Sequence, residues 1–278
     1  MEDISWIVPG YPNPNDTSRV LQTTSTVIKS AKEWYDRSLL IPHEPLRRDM
    51  SELLRVTSPD VFPGKVGQDW KWRAFFKYYN EWFYVLTHHH HDLEEKIFFP
   101  WVLSRAKDLP ASMTADHGTL MKILDSIKTS EKDFMQAIKV KDPIARQEAR
   151  VRAADNLRSK LQSLNDRLLP HLAEEEQVFM PILKELFTAE EEAAIVQKII
   201  KAGGLSGNKK LLPWVYTQTL YWMDTDSIRV FLSSIPPPIL WLAKKHWTPN
   251  YLKNGIGLLN SVAMDTNPKE NKISCRCF

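Results

Sequence analysis

Two stretches of this chain share one spelling, and its spacing suits a helix that presents metal ligands. One reads His90-His91-Asp92-Leu93-Glu94-Glu95-Lys96-Ile97-Phe98-Phe99-Pro100. The other reads His171-Leu172-Ala173-Glu174-Glu175-Glu176-Gln177-Val178-Phe179-Met180-Pro181. Each sets a His, Glu at +4 and +5, Phe at +8 and Pro at +10. Positions i and i+4 share one helix face, one turn apart, so each copy aims an imidazole and a carboxylate at the same point. Two such helices, face to face, enclose a nitrogen- and oxygen-rich site with room for two cations.

The rest of the chain supplies helices to build that site. The apolar share is 43% and the charged share 26%, enough for a core in a soluble protein. No stretch alternates with β-branched enrichment, so the expected class is all-α. Helical patterning runs from about Thr17 to Val56 with a break near Ile41-Pro42, from Gln68 to Ala106, from Ser112 to Lys139, and from Asp142-Pro143 to Phe187 with a kink near Pro170. Thr188 reads as the N-cap of a short fifth helix. Long helices with short connections predict an antiparallel four-helix bundle. The expected layout is an irregular segment over 1–16, the bundle over 17–201, a Gly-rich linker over 202–208, an aromatic helical extension over 209–262 packed on the bundle, and a disordered tail over 263–278.

The repeat extends beyond the opening pair. His43 precedes His90 by 47 residues, and His117 precedes His171 by 54. Each half then forms a helical hairpin with a single His on its first helix and His-x-x-x-Glu on its second. Of eight His, seven fall in these four places. A lone helical His is more often a satisfied core or surface residue, and Glu174-Glu175-Glu176 alone reads as a solvated face. The joint pattern favours a metal site of His43, His90, Glu94, His117, His171 and Glu175. Imidazoles with carboxylates suit borderline first-row metals. No Glu stands three residues before any His, which removes the Glu-x-x-His di-iron motif. His-Glu-x-x-His is absent as well, and the only Cys are Cys275 and Cys277, so a thiolate zinc site is not expected.

These residues resemble the hemerythrin-like, or HHE cation-binding, family. The features that carry the resemblance are His43 before Leu46-Arg47, His90-His91-x-x-Glu94-Glu95-x-x-Phe98-x-Pro100, Asp116-His117-x-x-Leu120, and His171-x-x-x-Glu175, over about residues 20–190. The resemblance implies a bundle with a non-haem centre of two iron ions, manganese or zinc being alternatives. Glu94 and Glu175 would bridge, with His43 and His90 on one ion and His117 and His171 on the other. Oxygen-carrying members have a further His four residues after the third-helix His, where this chain has Met121. A thioether is a poor ligand for oxidised iron. One nitrogen is thus missing from the pattern, and His91 is the possible additional ligand in its place. His88 and His89 point elsewhere on the helix and are expected beside the site or at the surface. Trp82, Phe83, Phe98 and Phe179 are expected to pack near it.

The implied function is binding or sensing of iron and O2. The alternative is a di-iron oxidase or oxygenase acting on a small molecule, favoured by Met121 and the C-terminal addition. A net charge of +3 without a basic, aromatic-rich stripe argues against nucleic acid. No apolar run suggests a transmembrane segment. The start Met1-Glu2-Asp3-Ile4-Ser5-Trp6 lacks the features of a secretory signal, and with so few Cys the cytoplasm is the expected location. Cys275-Arg276-Cys277-Phe278 has the outline of a prenylation box, giving a weak expectation of lipidation at Cys275. Residues 209–262 hold Trp214, Trp222, Trp241 and Trp247 and the breaker Pro236-Pro237-Pro238, and are expected to extend the core, with a lid or an interfacial patch as sharper alternatives.

Overall fold

A computed structural model of the protein describes residues 33–268. The expected lead-in, the Thr17 helix start and Cys275 lie outside the described residues. Among the described residues there is no strand, and the fold is all-α. No helix there is long and apolar enough to cross a membrane.

The helix α1 (Trp34–Val56) runs unbroken through Pro42 and Pro45, which corrects the expected break. An interior proline lacks an N–H and crowds the preceding turn, at a cost of about 3 kcal/mol. Complete burial of Leu40, Leu46, Met50, Leu53 and Val56 along the same helix offsets that cost. The next helical run comprises α2 (Trp70–Tyr78), a π-helical turn Tyr79–Phe83, α3 (Tyr84–Leu93), a second π turn Glu94–Phe98, and α4 (Phe99–Leu103). Such π turns carry one extra residue and often mark functional positions. Here the second one opens on Glu94.

The stretch expected as one helix to Lys139 is divided at Ser130 into α5 (Ser112–Thr129) and α6 (Glu131–Ala137). The long α7 (Pro143–Leu186) continues through Pro170 and carries the whole second copy of the repeat. Thr188 caps α8 (Ala189–Thr219) in a reciprocal capping box with Glu191. The expected linker 202–208 is reduced to a sharp kink: α8 is two helical segments that meet at Gly204, whose backbone is non-helical (φ 55°, ψ −168°), and the segment from Thr188 ends there. Then follow α9 (Thr225–Ser233), α10 (Pro237–Leu242), a π turn Ala243–Trp247, α11 (Thr248–Asn254) and α12 (Ile256–Ala263).

The chain divides into two compact units. One comprises the residues up to Arg48 with Asp92–Leu109 and Glu174–Leu252. Its core packs Phe98 edge to face on Phe179 and stacks Phe99 on it, with ring centroids 5.2 and 5.3 Å apart, and seats Trp101 on Phe187 at 4.3 Å. A second cluster of Leu212, Ile235, Ala243 and Trp247 ties α8 to the short helices after it. The other unit comprises Asp49–His91, Pro110–Ala173 and the residues from Lys253 on. Its core centres on Phe62, Phe75, Phe76, Trp72 and Phe134. There α12 packs on α2, and Lys71 Nζ meets Asp265 Oδ1 at 2.9 Å.

Candidate metal centre

Helical spacing sets the directions of the donor side chains. His90 and His91 sit near the end of α3, Glu94 opens the π turn that follows, and His171 and Glu175 stand one turn apart on α7. His43 is on α1 and His117 on α5. All seven side chains are buried, although every one is an imidazole or a carboxylate, a group that carries charge or can take it up. Burying such groups is costly unless they are paired or coordinate a metal.

They fall into two groups. His91, His117 and His171 form one, and His43, His90, Glu94 and Glu175 form the other; within each group one ligand atom per residue lies within 4.8 Å of the others. In the first group the ring centroids of His91 and His117 are 4.4 Å apart, those of His117 and His171 4.8 Å, and those of His91 and His171 5.6 Å. In the second, His43 Nε2 lies 3.4 Å from Glu175 Oε2 and 3.7 Å from Glu94 Oε1. Converging ring nitrogens and carboxylate oxygens are the donor chemistry of a first-row cation site. The same two helical runs, the one around His90 and the one around His171, contribute to both groups.

All six residues expected from the sequence are thus brought into groups, and His91 joins them. Five imidazoles and two carboxylates make up the donor set. An imidazole next to His90 thus stands in the group that contains His117. His88 and His89 are half-buried, and the ring of Tyr84 packs 4.5 Å from that of His88. Trp82, Phe83, Phe98 and Phe179 are all buried, with Phe98 and Phe179, the +8 residues of the two copies, edge to face.

The sequence reading missed three residues. Glu176, read as part of a solvated run, is 5% exposed, and its Oε1 lies 2.8 Å from His43 Nδ1. Arg47 Nη2 meets the same oxygen at 2.7 Å, and Arg47 Nη1 donates to Glu44 Oε1 at 2.8 Å. Burial alone would push the His43 imidazolium down. Its hydrogen bonds to Glu176 and Glu94 and the charges of Glu176 and Glu175 prevail and raise it to about 9. Burial works to raise the Glu176 carboxyl, but His43 and Arg47 hold it below the usual range. Glu44 is raised by burial despite Arg47. One signal for this set was on the page: Arg47 follows His43 by one helical turn, on the same face.

A helical protein with buried His and Glu donors in two groups is a cation-binding one in outline. The profile of the hemerythrin HHE cation binding domain matches residues 38–183, more than half of the chain, and the chain belongs to this family. No curated protein and no solved structure matches it.

Proposed function

We propose that this protein holds two iron ions, one in each donor group, in a four-helix bundle of the hemerythrin type, and that it binds O2 or senses it there. The observation that carries the reading is the buried donor set itself, five imidazoles and two carboxylates in two groups. Imidazole with carboxylate fits iron, and manganese or zinc accept the same donors. Bound iron would supply reversible redox and O2 chemistry. The chain's own residues orient the donors, exclude water with Phe98 and Phe179, and fix the ring of His43 through Glu176. In this reading Glu94 and Glu175 would hold metal together with the histidines, as the family resemblance implies.

The oxidase alternative drew support from the nitrogen missing at Met121 and from the C-terminal addition. His91 beside His117 and His171 weakens the first of these supports, and we take binding as the better reading. The test is to load the protein with Fe(II) without air, count iron per chain, then admit and remove O2 while recording the visible spectrum. Two irons and a band that reverts on removing O2 are expected. A band that decays faster with an added small-molecule substrate would instead favour the oxidase, and failure to take up iron would overturn both.

A further inference from the structure

The side chain of Glu176 has no place among the seven donors, yet it is buried and gripped from two sides. Its Oε1 faces His43 Nδ1 at 2.8 Å and Arg47 Nη2 at 2.7 Å, and the other arm of Arg47 is held by the fully buried Glu44 at 2.8 Å. A buried network of two carboxylates and a guanidinium is expensive to desolvate and weak evidence for stability alone. Its geometry has a direct effect on one donor. With Nδ1–H donating to Glu176, the other nitrogen of His43 is the one left to coordinate, and that Nε2 is the atom turned toward Glu175 and Glu94. A carboxylate on the far nitrogen of a ligand His fixes the ring and raises its basicity.

We infer that Glu176, clamped by Arg47, is a positioning residue that aims Nε2 of His43, and that the cation held by His43, His90, Glu94 and Glu175 depends on it while the cation at His91, His117 and His171 does not. The inference rests on the cation-binding reading above.

The test uses the full chain with Glu176→Gln and Arg47→Met, each titrated with Fe(II) and Zn(II) against a competing chelator. Glu176→Gln keeps the volume and removes the charge. Arg47→Met releases the clamp and leaves Glu176 in place. Wild type should bind two cations, and each variant should lose about ten- to a hundredfold in affinity for one of them and keep the other. The metal-free proteins provide a second readout: the hydrogen-bonded Nδ1–H proton of His43 should give a slowly exchanging, downfield NMR signal in wild type that shifts in Glu176→Gln. Two cations bound with wild-type affinity in both variants would overturn the inference. A wild type that binds no cation would sink the proposed function instead, and the NMR signal would then decide whether Glu176 positions the ring.

Discussion

The rings of His91 and His117 lie 4.4 Å apart, and this pairing changes what the centre can be. From the sequence, Met121 leaves the third helix one nitrogen short. The fold sets the imidazole of His91, the residue next to His90, beside His117. If His91 completes the group with His117 and His171, His91→Ala should reduce bound iron from two ions to one per chain. Adding Met121→His to that variant restores an imidazole one turn after His117, and should recover the second ion. Iron counted by elemental analysis on purified, anaerobically loaded protein decides it. An unchanged ratio in His91→Ala would remove His91 from the donor set.

His43 gives the centre a pH dependence. Its imidazolium is raised from 6.5 to about 9 by Glu176, Glu94 and Glu175, against burial. In the metal-free protein this group contributes stability that is fully present below 6.5 and is lost as pH rises through about 9. A cation needs the neutral ring, so at pH 7.5 it must displace that proton. Apparent affinity should therefore rise with pH up to about 9, and calorimetric titration in buffers of different ionisation enthalpy should report proton release on binding. His43→Gln should lower the number of protons released. Affinity that stays flat between pH 6.5 and 9 would contradict the assignment.

The grouping of these His and Glu residues was legible because its rule is local. A His and a Glu four apart on a helix share a face wherever the helix goes, so His90 with Glu94 and His171 with Glu175 could be read without the fold. Thr188 with Glu191 was legible for the same reason, since a cap is satisfied within one turn. The missed residues obey no local rule. Glu176 is buried only because α7 meets His43, 133 residues away in the chain. The break expected at Pro42 failed because local propensity was weighed without the burial of Leu40, Leu46 and Met50. The break expected at 202–208 falls at Gly204 but is a kink between two helical segments, because a glycine pair reads the same whether it opens a linker or a sharp turn.

Arg150 should be a strong stability determinant without touching the donors. Its side chain is fully buried; Nη2 donates to the Pro63 carbonyl at 3.0 Å and Nη1 pairs with Asp69 Oδ1. It thereby ties α7 to the loop before α2. Arg150→Ala should cost about 2–4 kcal/mol, from lost charge-assisted hydrogen bonds and a cavity. Arg150→Lys should recover only part, because an ammonium lacks the two-armed geometry. Denaturant melts measure the loss, and iron content per folded chain should stay at the wild-type value. A melt within about 0.5 kcal/mol of wild type for Arg150→Ala would show that the pair is not structural.

The bend in α8 separates two adjacent glycines by a single test. Gly204 sits at φ 55° and ψ −168°, a region open almost only to glycine, and a Cβ there would meet no atom within 4 Å. Substitution cost at this position is therefore backbone strain alone. Asn208 Nδ2 donates to the carbonyls of Ile200 and Gly204, both at 2.7 Å, and holds the bend closed from its far side. Gly204→Ala should destabilise by about 1–3 kcal/mol. Gly203, which lies outside the positive-φ positions, should respond oppositely: Gly203→Ala reduces the freedom of the unfolded chain and should be neutral or stabilising by up to about 1 kcal/mol. Thermal melts of the two variants side by side check this. Equal shifts in the same direction would mean that the bend is not fixed at Gly204.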